Sequence, residues 1–294
     1  MTNTQLQLFV KIAETGSFTK AGQALNMTQP AVSRAVSTLE DELDVKLIIR
    51  DRRNGIVLTD VGSRILVLFR EILNGFEKVE QEIAAEKGLE VGVIRIGTFT
   101  SASAHFLPRI IRTIGEKYPN LQFDLHEGTI DEIHRWLESR QIDIGFTIMK
   151  DHQFERIPLL REEMFAVIRD DHPLTSRSAI RIEELAQGPM IICKGGFETP
   201  IYELFAQADT PLKPKFVVSS LTTLLNMIQE GLGSAIMSGM MQAYQPPNVT
   251  TRRIEPRAYR DIHMVLPSLQ EAPLAVKLFI RTTLELFGPE ESRL

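Results

Sequence analysis

The chain has 294 residues, 43% hydrophobic and 24% charged, with a formal net charge of -5 and a single cysteine, Cys193. That length suggests two or more domains, and the composition is that of an ordinary globular protein. One cysteine excludes an intrachain disulfide and a Cys-rich zinc site, and the acidic balance advertises neither nucleic acid nor acidic lipid.

The average hides a contrast. Residues 1–59 carry seven Lys/Arg and six acids, a balance of +1, and four of those acids sit in EDELD (40–44). The surface around Arg34 and the 46–53 run can therefore be positive locally. No cationic start followed by an apolar run opens the chain, and no stretch reaches the ~18 apolar residues of a membrane span. The expectation is a cytoplasmic protein with no membrane partner.

Leu6, Phe9, Val10 and Ala13 recur at helical spacing, so residues 4–14 read as an amphipathic helix that Gly16 ends. Ser17 can cap a second helix, FTKAGQAL, with Phe18, Ala21, Ala24 and Leu25 on its apolar side. Ala21 and Gly22 are small enough for another helix to approach, and Asn26 suits a left-handed turn. A third helix starts at once, with Thr28 as N-cap and Pro30 in its first turn.

In this third helix, NMTQPAVSRAVSTLE (26–40), Val32, Val36 and Leu39 form one stripe, and Pro30, Ser33, Arg34 and Ser37 form another. Two short helices joined so tightly make a helix-turn-helix, whose second helix enters the major groove by its leading residues. Gln29 and Arg34 can hydrogen-bond base edges, Ser33 and Ser37 can reach bases or phosphates, and Pro30 suits a thymine methyl. A solvated helix in a bundle without a ligand would read the same. KLIIRDRRNGIVLT (46–59) then places two apolar runs around a turn, a β-hairpin wing with Arg50, Arg52 and Arg53 near its tip. Those arginines suit flanking phosphates, or they pair with Asp51 and the EDELD acids.

The segments SFTKAGQALNMTQPAVSRAVSTLE, LDVKLIIR and LTDVG resemble the N-terminal signature of LysR-type transcriptional regulators. Family members usually carry Gly at the position of Asp44, Phe at Ile48 and Ala at Val61. The resemblance implies that Thr28, Gln29, Pro30, Ser33 and Arg34 meet operator DNA and that Arg50, Arg52 and Arg53 form the wing.

From Ile65 the apolar residues Ile65, Phe69, Ile72, Phe76, Val79 and Ile83 are spaced 4, 3, 4, 3, 4, a coiled-coil seam. A single amphipathic helix lying on its own domain is the alternative. The narrow stripe favours a dimerising linker helix over 60–87, which would pair two heads on an inverted repeat. GLEVG (88–92) breaks the helix as a hinge.

Beyond residue 91 short apolar strands alternate with amphipathic helices. Strands are predicted over 93–98, 121–127, 142–148, 164–169, 189–194, 215–219, 233–238 and 261–267. Helices are predicted over 103–118, 131–139, 198–207, 220–231 and 272–287. The pattern argues a parallel α/β sheet covered on both faces. Two lobes with crossings near 162 and 267 resemble a periplasmic-binding-protein fold, which is also the LysR-type effector domain. The predicted organisation is therefore an all-α winged helix-turn-helix head (1–59), a linker helix (60–87), a hinge (88–92) and a two-lobed effector domain (93–294). Lobe I takes residues 93–161 and 268–294, and lobe II takes 162–267.

Ligands in such sheets bind at strand carboxyl ends, where helix N-termini offer free N–H groups. Loops TSAS (100–103), EGT (127–129), KGGFET (194–199) and SSLTT (219–223) qualify, with Ser103 and Thr129 among their hydroxyls. The family resemblance puts Ser101, Thr129, Phe197 and Thr222 near the effector, although a plain helix cap explains such hydroxyls equally well. A small carboxylate is the expected effector class. Where the family often has proline after the strand near 237, IMSGMM makes this rim apolar and adaptable. Six histidines are scattered, and no GxSxG, P-loop, GxGxxG or HExxH motif appears, so no enzyme activity, metal or cofactor is expected. Cys193 beside Lys194 could be a redox thiol with a lowered pKa, or an ordinary strand-end residue. By resemblance the partners are double-stranded operator DNA, a small-molecule co-inducer, RNA polymerase and a second copy, with a dimer of dimers beyond that.

Overall fold

The computed structural model of the chain describes residues 1–51, 55–86, 91–149 and 153–289, with residues 50 and 51 described by their backbone alone. The head is built from α1 (Asn3–Thr15), α2 (Phe18–Ala24), α3 (Gln29–Leu43) and a hairpin of β1 (Ile48–Asp51) and β2 (Gly55–Leu58). Thr2 and Gln5 cap α1 reciprocally, Gly16 ends it at φ 61°, and the Ser17 hydroxyl accepts the Lys20 N–H at 3.3 Å. Helix α1 is buried on two sides. Leu6, Phe9 and Val10 pack with Leu39, Leu47 and Leu66, while Leu8 and Ile12 pack with Ala21, Val32 and Val36. Ala24, expected on the apolar side of α2, is exposed instead.

Helix α4 (Asp60–Ala85) opens on the Thr59 hydroxyl, which accepts the Gly62 N–H at 2.8 Å. At about 39 Å it is long enough to leave the head and reach the next domain. Its heptad residues divide between two duties. Phe69 is buried edge-on against Phe9, 5.6 Å between rings, and Ile65 packs on the same core. Of the six expected seam residues, Phe69 is thus buried within the head and Ile65 partly so. Ile72, Phe76, Val79 and Ile83 are exposed, together with Leu68.

The side of α4 away from that stripe is clasped to the same chain's C-terminal domain by polar groups. Arg70 donates to the Ser139 carbonyl at 2.7 Å, and Arg140 reaches Glu71 at 3.1 Å. Arg95 forks onto Glu77 at 3.0 and 2.7 Å, and Gln81 accepts the Ala275 N–H at 3.3 Å. Burial opposes the charge on Arg95, but the bonds from Glu77 and the field of Asp143 outweigh it and raise its pKa above the ordinary value.

The C-terminal domain follows as β3 (Gly92–Thr98), α5 (Thr100–Lys117), β4 (Leu121–Glu127), α6 (Ile130–Glu138), β5 (Ile144–Thr147) and β6 (Glu155–Arg169). Next come β7 (Ala179–Arg181), α7 (Ile182–Leu185), β8 (Met190–Cys193), α8 (Thr199–Gln207), β9 (Pro214–Val218), α9 (Leu221–Gln229) and β10 (Ala235–Ser238). Strands β11 (Val249–Glu255) and β12 (Tyr259–Leu266) lead to α10 (Leu274–Phe287). The main sheet runs β4-β3-β5-β12-β6-β11-β7, with β10 also on β6 and a separate β8-β9 pair.

This sheet is mixed, which corrects the expectation of a parallel one. Pairs β3-β4, β3-β5, β7-β11 and β8-β9 are parallel, as α/β units require. The two strands that connect the lobes run antiparallel, from Tyr259 opposite Glu163 to Leu266 opposite Glu155, with a register shift between Ile262 and His263. A chain that leaves a lobe and returns beside its own exit must pair in that sense. The return lies near 260, not 267, because His263, Met264 and Val265 already pair with β5 of the first lobe. One core, around Phe106, Phe146 and Phe279, fills the first lobe, and two smaller cores flank the sheet of the second.

Candidate nucleic-acid interface and effector cleft

Helix α3 is fixed by the face it buries. Val32 and Leu39 are fully buried and Val36 nearly so. Gly22 makes the close packing of α2 and α3 possible, since a Cβ there would lie 2.7 Å from the Met27 carbonyl oxygen and 3.0 Å from a Val32 methyl. Asn26 takes the left-handed turn at φ 55°. With one face anchored, the leading turn points outward: Thr28, Gln29, Pro30, Arg34 and Ser37 are exposed and Ser33 is half-buried. Thr28 holds the N-cap position, yet its side chain makes no capping hydrogen bond. That differs from the expected hydroxyl cap, because the backbone alone opens this helix. Among the described residues no carboxylate lies within ion-pair distance of the Arg34 guanidinium.

The wing is tied to α3 by Glu40, which is only 7% exposed. Its carboxylate accepts the Leu47 N–H at 2.8 Å, the Ile48 N–H at 3.1 Å and the Lys46 ammonium at 2.7 Å. Burial alone would raise this carboxyl, but the three hydrogen bonds win and hold its pKa below the ordinary value. Glu42 takes the N-terminal ammonium of Met1. So two of the EDELD acids are spent inside the head. The hairpin pairs Ile48 with Leu58 and Arg50 with Ile56. The Arg50 side chain, Arg52 and Arg53 lie outside the described residues.

The second site lies where the lobes meet. Arg260, on β12, is 7% exposed and donates through Nε to Glu162 on β6. Its second arm reaches the Ser238 hydroxyl at 2.8 Å and the Ser101 hydroxyl at 3.2 Å, and its guanidinium lies 5.5 Å from the Phe99 ring centre. The other Glu162 oxygen accepts the Met240 N–H at 3.2 Å. This buried hub therefore joins the first lobe (Ser101), the second (Ser238) and both crossing strands. It borders a cleft of ≈ 80 Å³ walled by Met164, Ile201, Leu224, Ile236, Met237 and Met241. Larger hollows of ≈ 250 and ≈ 360 Å³ lie between α4 and the first lobe, where the buried polar groups, Asp143 and Gln81, belong to the bonds that hold α4 to that lobe.

Of the expected effector residues, the structure brings two to this cleft. Ser101 borders it as an Arg260 partner, and Phe197 borders it while packing on Phe99 across the lobes, 5.4 Å between rings. Ser101 and Ser103 sit in the first turn of α5 rather than in a loop, and Ser103 does not line the cleft. Thr129 is engaged in a reciprocal cap with Glu132, and the Ile130 N–H behind it donates to the Gly195 carbonyl at 3.0 Å. That helix start is filled by the opposite lobe. Thr222 is exposed on α9 while its neighbour Leu221 lines the cleft.

Sequence reasoning missed Arg260 and Glu162, and saw Ser238 only as part of the IMSGMM rim, not as a partner of Arg260. Arg260 shares the inward phase of Ile262 and Met264, so a strand read from Tyr259 would have carried a cation into the core. Cys193 also borders the cleft, and burial followed by the Glu198 carboxylate raises its thiol pKa. This reverses the direction expected from Lys194, which is exposed. His134 is buried with Nε2 3.2 Å from the Thr147 hydroxyl.

Family models match both parts of the chain. One described as "Bacterial regulatory helix-turn-helix protein, lysR family" matches residues 3–63, and "LysR substrate binding domain" matches residues 87–288. The chain belongs to the LysR family of transcriptional regulators. It is 56% identical to the Bacillus subtilis protein named uncharacterized HTH-type transcriptional regulator YvbU, over 99% of this chain and all of that one. Similarity to the Escherichia coli dual regulator OxyR is 27%, over 91% of this chain and 85% of that protein. Among solved structures, a full-length Pseudomonas aeruginosa OxyR variant superposes with a TM-score of 0.79 at 22% identity, covering 97% of this chain and 95% of that one. CbnR complexed with its target DNA superposes with a TM-score of 0.68 at 23% identity, covering 96% and 99%. These last two likenesses establish the fold: a helix-turn-helix head joined to the two-lobed effector domain. LysR-type regulators are DNA-binding proteins rather than enzymes.

Proposed function

We propose that this regulator binds an inverted-repeat promoter site as a dimer, with Thr28, Gln29, Pro30, Ser33, Arg34 and Ser37 toward the major groove. Arg50, Arg52 and Arg53 would reach flanking phosphates from the wing. The observation that carries the reading is α3 itself: one face locked by Val32, Val36 and Leu39, the other exposed at its leading turn, with the Thr28 side chain not used as a cap. The CbnR complex with its target DNA supports the same docking by fold.

The partner chain would pack on the exposed stripe of Leu68, Ile72, Phe76, Val79 and Ile83, leaving Ile65 and Phe69 to the head. We take the head as 1–59, the linker as 60–87, the hinge as 88–92 and the effector domain as 93–294, with its lobe return moved to about residue 260. A dimer of dimers acting on RNA polymerase in the cytoplasm completes the reading. No helix among the described residues is long and apolar enough to cross a membrane.

A small-molecule effector in the interlobe cleft would act through the Arg260 hub, since only a ligand that distinguishes two lobe arrangements can shift them. Ser101 and Phe197 are its contacts in this arrangement, whereas Ser103, Thr129 and Thr222 would need the lobes to part. A gel shift against DNA upstream of the chain's own gene tests the main claim. Sequence-selective, salt-sensitive binding that Arg34→Ala weakens is expected, and equal binding to scrambled DNA contradicts it.

A further inference from the structure

The cleft carries a statement about the charge of what fills it, one that rests on reading this cleft as the effector site. Two groups in or beside the cleft that could hold an anion already hold a carboxylate of the protein. The first is the Arg260 guanidinium, which is bonded to Glu162 and also to Ser101 and Ser238. The second lies beside the cleft, next to its lining residue Phe197: the pair of backbone N–H groups at Gly195 and Gly196, with φ 144° and 85°. Both donate to one Glu198 oxygen, at 3.1 and 2.9 Å. The start of α6, a third candidate, gives its Thr129 and Ile130 N–H groups to Glu132 and to the Gly195 carbonyl. Among the described residues, no lysine or histidine lines the cleft.

What remains is mostly apolar and soft: thioethers, branched aliphatics and the Phe197 ring, with the Cys193 thiol and hydroxyls at Thr100, Ser101 and Ser219. A carboxylate entering such walls would be stripped of water without gaining a free counter-charge, since Arg260 is already paired with Glu162, and Glu198 lies close behind Phe197. A hydroxyl or carbonyl on an apolar body loses far less and finds hydroxyl partners. The thioethers of Met164, Met237 and Met241 can reshape around it.

We propose that the effector of this regulator is a small, uncharged, largely apolar molecule bearing one or two hydrogen-bonding groups, and not a carboxylate. Glu162 and Glu198 act as resident anions that exclude a charged ligand.

The test uses the full-length protein with ¹³C-methyl-labelled methionine, the cleft signals being assigned from Met164→Leu, Met237→Leu and Met241→Leu. Matched probes are titrated at neutral pH: benzyl alcohol against benzoate, and isobutanol against isobutyrate. The alcohols are expected to shift the three cleft methyls with a Kd at least about tenfold below that of their carboxylates, one decade being a modest cost for an unpaired buried charge. Glu198→Gln, which removes one resident anion and loosens its hold on the glycine N–H groups, is expected to narrow that preference. A carboxylate that binds more tightly than its alcohol overturns the charge assignment and leaves the cleft as the site. Neither member shifting the cleft methyls, in protein that still binds DNA, overturns the cleft reading itself. A preference unchanged in Glu198→Gln removes the resident-anion explanation.

Discussion

Replacing Glu40 by alanine removes the carboxylate that ties α3 to the start of the wing. Its carboxylate serves the fully buried Leu47 N–H, the half-buried Ile48 N–H and Lys46. Each backbone N–H left unsatisfied costs about 1–3 kcal/mol, so the loss of two is about 2–6 kcal/mol. The Lys46 side chain is 69% exposed, and its ion pair adds little. Glu40→Gln keeps an acceptor oxygen and should lose about half as much. Urea unfolding followed in parallel by far-UV circular dichroism and by Trp136 fluorescence separates the parts, because the single tryptophan packs against the first-lobe core. With an m-value of about 1–2 kcal/mol/M for a unit this size, the head transition should drop by at least about 1 M in Glu40→Ala while the tryptophan transition holds. The folded pKa of Glu40 lies below its unfolded value, so its stabilisation is fully present above the ordinary carboxylate range and is lost as pH falls through the folded value. The gap between wild type and Glu40→Gln should therefore close in acid. An unchanged urea midpoint in Glu40→Ala would refute the reasoning.

Three further outcomes are expected. Asp44 closes α3 in the left-handed region at φ 52°, so Asp44→Gly should stabilise the head by about 0.5–1 kcal/mol, read as a higher urea midpoint. Glu77→Ala leaves Arg95 without its fork partner and should loosen α4 from the first lobe by about 1.5–3 kcal/mol, seen as faster proteolysis near residue 86, with Glu77→Gln intermediate. Because burial and Glu198 raise the Cys193 thiol, its alkylation should show a pH midpoint above that of a free thiol, and Glu198→Gln should move that midpoint down.

The head was almost fully legible because each of its elements has a local cause: an αL residue at Gly16 and Asn26, a cap at Ser17, one apolar stripe on α3. The second buried face of α1, through Leu8 and Ile12, was not, since a helix sandwiched between two layers departs from a single stripe. The heptad from Ile65 to Ile83 reads as one seam, yet its first two members are taken by a neighbouring core that periodicity cannot see.

In the effector domain, β6 was recognised only in its apolar half, MFAVIR. The other half holds Pro158, Arg161, Glu162 and Glu163, residues that argue against a buried strand until the crossing position explains them. Strands β7 and β11 were missed, the latter because its charged VTTRRIE reads as surface. The effector site was legible as loops at strand ends but not as chemistry. Ser101 and Phe197 were reachable from position, whereas the Arg260–Glu162 hub joins residues 98 apart in the chain. No local signal announces such a pair, although the inward phase of Arg260 hints at it.

The most direct measurement of the central claim is fluorescence anisotropy of the full-length protein on its specific duplex and on a scrambled duplex across a salt series. If Arg34 reads a base, Arg34→Ala weakens specific binding by about 1–3 kcal/mol and leaves non-specific binding nearly unchanged, whereas Arg52→Ala weakens both and lowers the salt slope by about 1. Equal weakening of both duplexes by Arg34→Ala, with the ratio between them preserved, would contradict a base-reading α3.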